Sequence, residues 1–320
     1  MLFGRKDNWD PKGKHCYVTG GTSGLGLSLA LLLAKRGAHV SIVARDNVRI
    51  SKALIQLEGA RQSPSQLFHA YSFSVDKAAE AEAALEVSTV PFGGKCPDAI
   101  FLCAGKSRPG FFVEQTEEQL KQCMDETYWA QAWSALAASK RMVRDGVQGK
   151  IVFVASVLAY FSFVGYSTYS PGKFAIRGLA EALQSEFLMY GIGVHITFPG
   201  TIFSPGLEEE NKVKPQITLK LEESDEGMQP DAIAEHLLHG VAKGKFHITY
   251  DFIGNVFRAS SRGSSPGNHG LLDQIYSAIA AIALPIWRGS VDSKVRSHGQ
   301  EHYAYLQDKG LVSKGVYSPL

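Results

Sequence analysis

Neither sign of charge dominates this sequence of 320 residues, which has 33 lysines and arginines against 31 aspartates and glutamates. A formal net charge of +2 gives no sign of the concentrated basic face that nucleic-acid-binding domains usually carry. We therefore expect no nucleic-acid partner. The rest of the composition, with 45% hydrophobic and 20% charged residues, can build a sizeable core and excludes a disordered chain.

Cysteine and histidine do not occur in the patterns that bind metals. The four cysteines, Cys16, Cys96, Cys103 and Cys123, form no Cys-x-x-Cys pair, and the ten histidines are scattered. We expect buried free thiols in a reducing compartment and no metal site. Residues 1–15 are too polar for a signal peptide or a membrane helix, so we expect the active domain on the cytosolic side.

What the chain does have is a regular alternation of short apolar runs and longer helix-like stretches. The alternation predicts βαβ units, and the continuously apolar runs are typical of strands that helices cover on both faces. Strands are predicted at residues 15–20, 39–45, 67–73, 98–105, 150–156, 193–200 and 246–251. Helices are predicted at residues 24–36, 47–60, 76–87, 117–144, 168–190 and 230–243. The expected fold is α/β, a Rossmann-type doubly wound parallel sheet of about seven strands in one domain over residues 1–255.

Two segments interrupt this pattern. Residues 201–229 are rich in charge and proline, and a long insertion after a strand is typically a lid or a mobile loop. Residues 256–320 form a C-terminal extension with an apolar segment at 271–287. As a helix this segment would reach about 25 Å, short of a bilayer core of roughly 30 Å. We expect it to contact a membrane surface, with burial in an oligomer contact or at the substrate mouth as the alternative.

The first predicted strand leads into a glycine-rich loop at residues 19–26, which opens a helix. Gly20 lets the chain turn off the strand, Gly24 lets the backbone approach a pyrophosphate, and Gly26 lets helix and sheet pack closely. The helix N-terminus then offers N–H donors to phosphate groups. In this context the loop predicts a dinucleotide site. The site is expected to include Thr22, Ser23 and Leu25 as well.

The second predicted strand ends at Arg45, with Asp46 next to it and Arg49 one helical turn further on. A carboxylate at the strand end would bind a ribose 2′-hydroxyl, whereas an arginine accommodates a 2′-phosphate. Because Arg45 comes first and the hydroxyl of Ser23 can reach the same phosphate, we predict NADPH as the cofactor. Arg49 is expected either to bind this phosphate or to be a solvated helix charge.

A second group of polar residues follows the fifth predicted strand. Ser156 stands at the strand end, and Tyr169 and Lys173 lie four residues apart on one face of the next helix. Reduction of a ketone by hydride transfer needs a proton for the forming alkoxide and a donor that holds the carbonyl oxygen. The tyrosine pKa is ordinarily about 10, and a neighbouring ammonium group lowers it. We therefore predict Ser156, Tyr169 and Lys173 as the catalytic residues.

With these motifs the chain resembles the short-chain dehydrogenase/reductase family over roughly residues 12–255. The resemblance implies that Ser156 holds the substrate oxygen and that Tyr169 transfers the proton. It implies that Lys173 binds the nicotinamide ribose while lowering the pKa of Tyr169. The segments LCAG (102–105) and FPGTIFSPG (198–206) match the family's cofactor-flanking segments. Further candidate cofactor residues are Ser74, Ala104, Gly105, Pro199, Gly200 and Ile202.

Two positions depart from the family pattern. Cys103 replaces the second asparagine of the family's NNAG motif, which removes a hydrogen-bonding side chain that braces the sheet. Thr127 replaces the helix asparagine that completes a proton relay through water. A threonine can still bond water, but the resemblance does not carry the relay over to this chain.

Within the family, the block SPGLEEENKVKP (204–215) and the cysteine of LCAG are most similar to reductases of 3-ketodihydrosphingosine. This likeness implies reduction of 3-ketosphinganine by NADPH on the cytosolic face of the endoplasmic reticulum membrane, by a homodimer or homotetramer. Glu208, Glu209 and Glu210 are expected to be a solvated charge run, with contact to the substrate's ammonium as the alternative. Two other functions stay open: reduction of another lipid ketone, of steroid or retinal type, and NADPH binding without catalysis.

Overall fold

The computed structural model describes residues 9–312. Residues 1–8 and 313–320 lie outside this range, so most of the polar N-terminal stretch and the end of the C-terminal extension do too.

Seven parallel strands form one sheet in the order β3-β2-β1-β4-β5-β6-β7. The strands are β1 (His15–Thr19), β2 (His39–Ala44), β3 (Phe68–Ser72), β4 (Ala99–Leu102), β5 (Lys150–Val154), β6 (Gly193–Thr197) and β7 (His247–Ile248). All seven predicted strands and the doubly wound order are confirmed, although β7 is only two residues long. The strand order reverses between β1 and β4, and in such sheets ligands bind in the crevice at the carboxyl ends of these strands.

Helices cover both faces of the sheet. They include α1 (Gly24–Lys35), α2 (Asn47–Gly59), α3 (Ala78–Thr89), α4 (Glu117–Met124), α5 (Ala130–Asp145) and α6 (Ser170–Glu186). Alternate side chains of each strand enter opposite cores: Tyr17 of β1 packs on the face that α5 and α6 cover, and Val18 packs on the face of α1. The continuous apolar runs in the sequence are explained by this burial on both sides.

The single helix predicted at 117–144 is divided into three parts. Between α4 and α5 the residues Asp125–Trp129 form a π-helical turn. The Thr127 hydroxyl there donates to the carbonyl of Cys123 at 2.5 Å. A π turn inserts one extra residue and shifts the register of everything after it, and such turns often occur at functional sites. Apolar periodicity alone did not predict this interruption.

The segment predicted as a lid or mobile loop contains two short helices, α7 (Pro205–Asn211) and α8 (Gln216–Glu222), ahead of α9 (Pro230–Ala242). A β-bridge between Ile202 and Met228 joins the two ends of the segment. The Ser204 side chain caps α7 by accepting the backbone N–H of Leu207 at 3.3 Å. The segment is therefore regular in structure, and its closure over a substrate stays a prediction.

The C-terminal extension is helical, with α10 (Phe252–Ser261), α11 (Gly270–Ser297) and α12 (Gly299–Asp308). The expectation of a short helix at 271–287 was wrong, because α11 has 28 residues and continues through Pro285. At 1.5 Å per residue it is about 42 Å long. Within residues 9–312, α11 is the one helix that is long and apolar enough to cross a membrane, by length and composition only.

One face of α11 packs against the domain. Trp287 contacts Phe161 and Phe257, with ring centroids 5.1 Å and 5.4 Å apart, and Phe257 belongs to a core cluster of the sheet. The predicted domain boundary at 255–256 lies inside α10. The opposite face of α11 exposes an apolar stripe, which consists of Leu271, Ile275, Ile282 and Ile286.

Candidate active site

A cavity of about 660 Å³ lies at the carboxyl ends of the central strands. All of the residues predicted for catalysis and for cofactor binding line it. They are Gly20, Thr22, Ser23, Gly24, Leu25, Gly26, Arg45, Arg49, Ser74, Ala104, Gly105, Ser156, Tyr169, Lys173, Pro199, Gly200 and Ile202. The structure therefore brings residues that are far apart in the sequence, from Gly20 to Ile202, into one cleft.

The glycine loop closes tightly onto the sheet at two points. A Cβ added to Gly26 would lie 2.3 Å from the carbonyl oxygen of Gly20, and one added to Gly20 would lie 2.9 Å from the amide nitrogen of Ala104. Gly20 and Gly24 adopt φ values of +68° and +50°, which side-chain-bearing residues rarely adopt. The Ser23 side chain makes no hydrogen bond to cap α1. The loop therefore offers a backbone cradle and a hydroxyl to a phosphate, which fits a dinucleotide.

The end of β2 brings both Arg45 and Asp46 to the cavity. Asp46 caps α2 by accepting the backbone N–H groups of Val48 and Arg49 at 2.9 Å and 3.1 Å. These hydrogen bonds, the one from Arg49 first, lower the pKa of Asp46. One oxygen of the Asp46 carboxylate is thus engaged by the helix cap, while Arg45 lines the cavity beside it. An arginine at this position can accommodate a 2′-phosphate, and the cap hydrogen bonds leave Asp46 less free to bind a 2′-hydroxyl.

Ser156, Tyr169 and Lys173 meet where β5 ends and α6 begins. Ser156 follows the strand and accepts the backbone N–H of Leu158 at 3.2 Å. Tyr169 is the N-cap residue of α6, and Lys173 lies one turn later. The Lys173 ammonium donates to the carbonyl of Val154 at 2.9 Å and lies 5.5 Å from the centroid of the Tyr169 ring.

The electrostatics of this group differ from the expectation. Burial raises the pKa of Tyr169, and the carboxylate of Glu210 raises it further, although the hydrogen bond with Ser156 lowers it. Burial also lowers the pKa of Lys173 to about 8. The expected lowering of the Tyr169 pKa by Lys173 is therefore absent in this geometry, because desolvation favours the neutral forms of both groups. Tyr169 is protonated at neutral pH, which is the state that a proton donor needs.

Thr127 does not reach the catalytic group. Its hydroxyl is buried against the carbonyl of Cys123, and its side chain packs so closely on Gly172 that a Cβ there would lie 1.8 Å from the hydroxyl oxygen. Gln131, which the sequence did not single out, does come close. Its amide nitrogen donates to the carbonyl of Val154 at 2.8 Å and its amide oxygen accepts the N–H of Val154 at 3.1 Å. Gln131 and Lys173 therefore share one acceptor.

A second group that the sequence missed lies on the lid side of the cavity. We define the lid charge cluster as Tyr166, Glu210, Lys214 and Glu222. The Tyr166 hydroxyl lies 2.9 Å from Oε1 of Glu210 and 2.5 Å from Oε1 of Glu222. The Lys214 ammonium pairs with the same two carboxylates at 3.1 Å and 2.6 Å. No local motif predicts this cluster, because Tyr166 and Glu222 are 56 positions apart.

The three glutamates of α7 differ from one another. Glu208 and Glu209 are exposed, as expected for a solvated charge run. All three line the cavity, but the side chain of Glu210 is only 16% exposed and pairs with Lys214. The prediction of a solvated charge run was therefore wrong for Glu210, whose side chain lies on the face of α7 that packs toward Tyr166 and Lys214.

Comparison with known proteins gives matches over most of the chain. The family model for short chain dehydrogenase matches residues 14–214. A 3-ketodihydrosphingosine reductase TSC10 of Cryptococcus neoformans is 42% identical over 313 residues, which are 98% of this chain and 92% of that protein. A 3-dehydrosphinganine reductase of Danio rerio is 32% identical over 288 residues, covering 89% of this chain and 86% of the relative.

The fold also recurs in solved structures. A short-chain dehydrogenase from Sphingobium yanoikuyae in complex with NADPH superimposes with a TM-score of 0.63, covering 74% of this chain and 87% of that one. A short-chain type dehydrogenase/reductase from Mycobacterium marinum superimposes with a TM-score of 0.67 over 77% of this chain and 96% of that one. The sequence identities of 24% and 22% show a shared fold and no more.

Proposed function

The chain belongs to the short-chain dehydrogenase family, and we propose that it reduces 3-ketodihydrosphingosine to sphinganine with NADPH. The observation that carries the proposal is that Ser156, Tyr169 and Lys173 line the same cavity as the glycine loop. The substrate follows from the relatives, since proteins named for this reaction match nearly the whole chain.

The cofactor would lie along the predicted residues. The N-terminus of α1 and the glycine loop would bind the pyrophosphate, while Ser23 and Arg45 would bind the 2′-phosphate. Lys173 would hold the nicotinamide ribose. When bound, NADPH supplies the hydride that the carbonyl carbon accepts.

The chain's own residues supply the proton and the positioning. Ser156 and Tyr169 would both donate to the carbonyl oxygen, and Tyr169 would pass its proton to the oxygen as negative charge develops there. The charge left on the Tyr169 oxygen would be stabilised by the Lys173 ammonium, which still has donors beyond the one that it gives to Val154. The helices α7 and α8 would exclude water from the reacting atoms.

The test is NADPH oxidation by the purified protein with 3-ketosphinganine, compared with a Tyr169→Phe variant. We expect kcat to fall by about 10²- to 10⁴-fold in the variant, with NADPH binding retained. Tyr190→Phe changes an exposed tyrosine and is the matched control. Retention of turnover in Tyr169→Phe would refute the proton-donor role. Tight NADPH binding with no turnover of 3-ketosphinganine would refute the substrate.

We also propose that the apolar stripe of α11 rests on the cytosolic surface of the endoplasmic reticulum membrane, where the lipid substrate would be found. Ile282 and Ile286 are 71% and 70% exposed, while Trp287 holds the other face against the domain. Ile282→Lys with Ile286→Lys is expected to abolish sedimentation with phospholipid vesicles. Ile55→Lys changes an equally exposed isoleucine on α2 and is expected to leave it unchanged. Equal vesicle binding by all variants would contradict the proposal.

The long helices suit pairing of subunits into a homodimer or homotetramer. Leu136 and Val143 on α5 and Phe174 on α6 are apolar and between 43% and 45% exposed. Light scattering of the detergent-solubilised protein is expected to give a mass of two or four chains. A monomer mass would refute this part of the proposal.

A further inference from the structure

The lid charge cluster has an unbalanced charge. It contains two carboxylates, Glu210 and Glu222, whose side chains are each 16% exposed, and one ammonium, Lys214, whose side chain is 2% exposed. Buried carboxylates are stable only when cations or hydrogen-bond donors surround them. Within the described residues, both contacts of Glu210 use Oε1, so its second oxygen can accept another donor. The four residues of the cluster therefore carry one negative charge that no cation among them balances.

The cluster adjoins the catalytic group. The rings of Tyr166 and Tyr169 have centroids 6.0 Å apart, and the cluster lines the same cavity as Tyr169 and Ser156. The charge of Glu210 is close enough to Tyr169 to raise its pKa. A cation bound by Glu210 would therefore lie next to a ketone whose oxygen is held by Tyr169.

We propose that Glu210, supported by Glu222, Tyr166 and Lys214, binds the ammonium group of an α-amino ketone substrate. The inference rests on the proposed function and deepens it, because the amine and the ketone of 3-ketodihydrosphingosine are on neighbouring carbons. A site for the ammonium must then lie directly beside the residues that hold the carbonyl oxygen. Glu210 meets this requirement through Tyr166, whose ring lies beside Tyr169. Glu208 and Glu209 also line the cavity, but both are exposed to solvent, and Glu209 pairs with Lys212.

Such a site would select the substrate and assist the reaction. A singly charged ammonium neutralises the excess charge of the cluster, whereas a ketone without an amine would leave Glu210 and Glu222 sharing the single cation Lys214. An N-acylated substrate would be rejected because its amide carries no charge. The bound ammonium would also screen Tyr169 from the carboxylate while negative charge develops on the tyrosine oxygen. Lys214 limits the cluster to one excess charge, which matches a monocation.

The experiment compares kcat/KM for 3-ketosphinganine and for its des-amino analogue, a 1-hydroxy-3-ketone of the same chain length. We expect Glu210→Gln to lower the value for the amino ketone by about 10- to 100-fold and to leave the analogue nearly unchanged. Glu209→Gln, a change of the exposed neighbour, is expected to affect neither substrate. Equal loss on both substrates would show a structural role for Glu210 and overturn the inference, as would a wild-type enzyme with no preference.

Binding measurements separate this inference from the proposed function. The probes are sphinganine and its des-amino diol, titrated into the NADPH-loaded protein by calorimetry. Preferential binding of sphinganine that Glu210→Gln removes would support the ammonium site even if 3-ketosphinganine were not reduced. Reduction of both ketones with equal binding of both probes would overturn the site and leave the reductase function standing. Failure to bind sphinganine in preference to the diol, with no reduction of either ketone, would overturn both.

Discussion

A buried ion pair in the C-terminal extension is expected to make the protein sensitive to the loss of either partner alone. Arg258 of α10 and Asp273 of α11 form this pair, with side chains that are 0% and 1% exposed. Asp273 also accepts the backbone N–H groups of Asn268 and His269 at 3.0 Å and 3.3 Å. In Asp273→Leu the guanidinium would stay buried with a single long contact, the 3.4 Å one to Asn255.

The expected loss can be worked out from this burial. Removing one partner of a buried pair costs about 3–5 kcal/mol, because the remaining charge has neither water nor a counter-ion. At about 2 °C per kcal/mol for a chain of this size, the Tm of Asp273→Leu would fall by roughly 6–10 °C. Replacing both partners by apolar residues is often nearly neutral. Arg258→Met combined with Asp273→Leu is therefore expected to recover most of the loss.

The assay is urea unfolding at pH 7, followed by circular dichroism and by tryptophan fluorescence. Glu235→Ala, which removes one partner of the exposed pair with Arg36, is the control and is expected to change the free energy of unfolding by less than about 0.5 kcal/mol. A loss below about 1 kcal/mol in Asp273→Leu would refute the reasoning. So would a double variant that is no more stable than the single one, since the cost would then not come from an unpaired charge.

Three further predictions concern the cofactor and the titrating groups. Arg45→Ala is expected to raise KM for NADPH by at least about 10-fold without changing KM for NADH, since it removes a phosphate contact. Arg49→Ala should raise KM for NADPH less, because the Arg49 side chain is 61% exposed and pairs with Asp46. Equal effects of the two variants in steady-state kinetics would contradict this assignment. Burial lowers the pKa of Lys173 to about 8, so kcat is expected to fall as pH rises past about 8. If the pH–rate profile of Lys173→Arg shows the same fall in kcat, the fall does not come from Lys173. Burial, with His39 and His69, lowers the pKa of His15 from 6.5 to about 3, so the unfolded chain takes up its proton first as pH falls. The free energy of unfolding should therefore fall by up to about 1.4 kcal/mol for each pH unit below 6.5. In the His15→Gln variant the free energy of unfolding should fall less over the same pH range.

Much of the fold could be predicted from the sequence. All seven predicted strands occur, and helices occur in all six of the predicted stretches, one of them interrupted by the π turn. Each is specified by neighbouring residues through apolar runs and helical periodicity. The glycine loop was predictable for the same reason, since strand, turn and helix follow one another directly. Ser156, Tyr169 and Lys173 could be named because parallel strands bring their carboxyl ends to one edge of the sheet.

Other features depended on contacts between distant segments. The length of α11 was misjudged because the apolar run ends at Trp287, whereas in the fold the helix continues to Ser297. In that added part Val291 is buried and Arg288 donates to the carbonyl of Ser162. Thr127 lies in the π turn and donates to the carbonyl of Cys123, and no periodicity in the sequence indicates the extra residue of this turn. The role of Asp46 as the cap of α2 became clear only from the structure, because in the sequence Asp46 and Arg45 are equally residues at the strand end.

The sequence alone determined the fold class and pointed to the glycine loop and the candidate catalytic residues, since these depend on short-range patterns and on the general geometry of parallel sheets. The tertiary structure decided the charge state of the site. It placed Glu210 on the inner side of α7, next to Tyr166 and Lys214, and it buried Tyr169 and Lys173 deeply enough to favour their neutral forms. Desolvation and long-range pairing act through space, so they depend on which parts of the chain meet and not on which residues are adjacent in sequence.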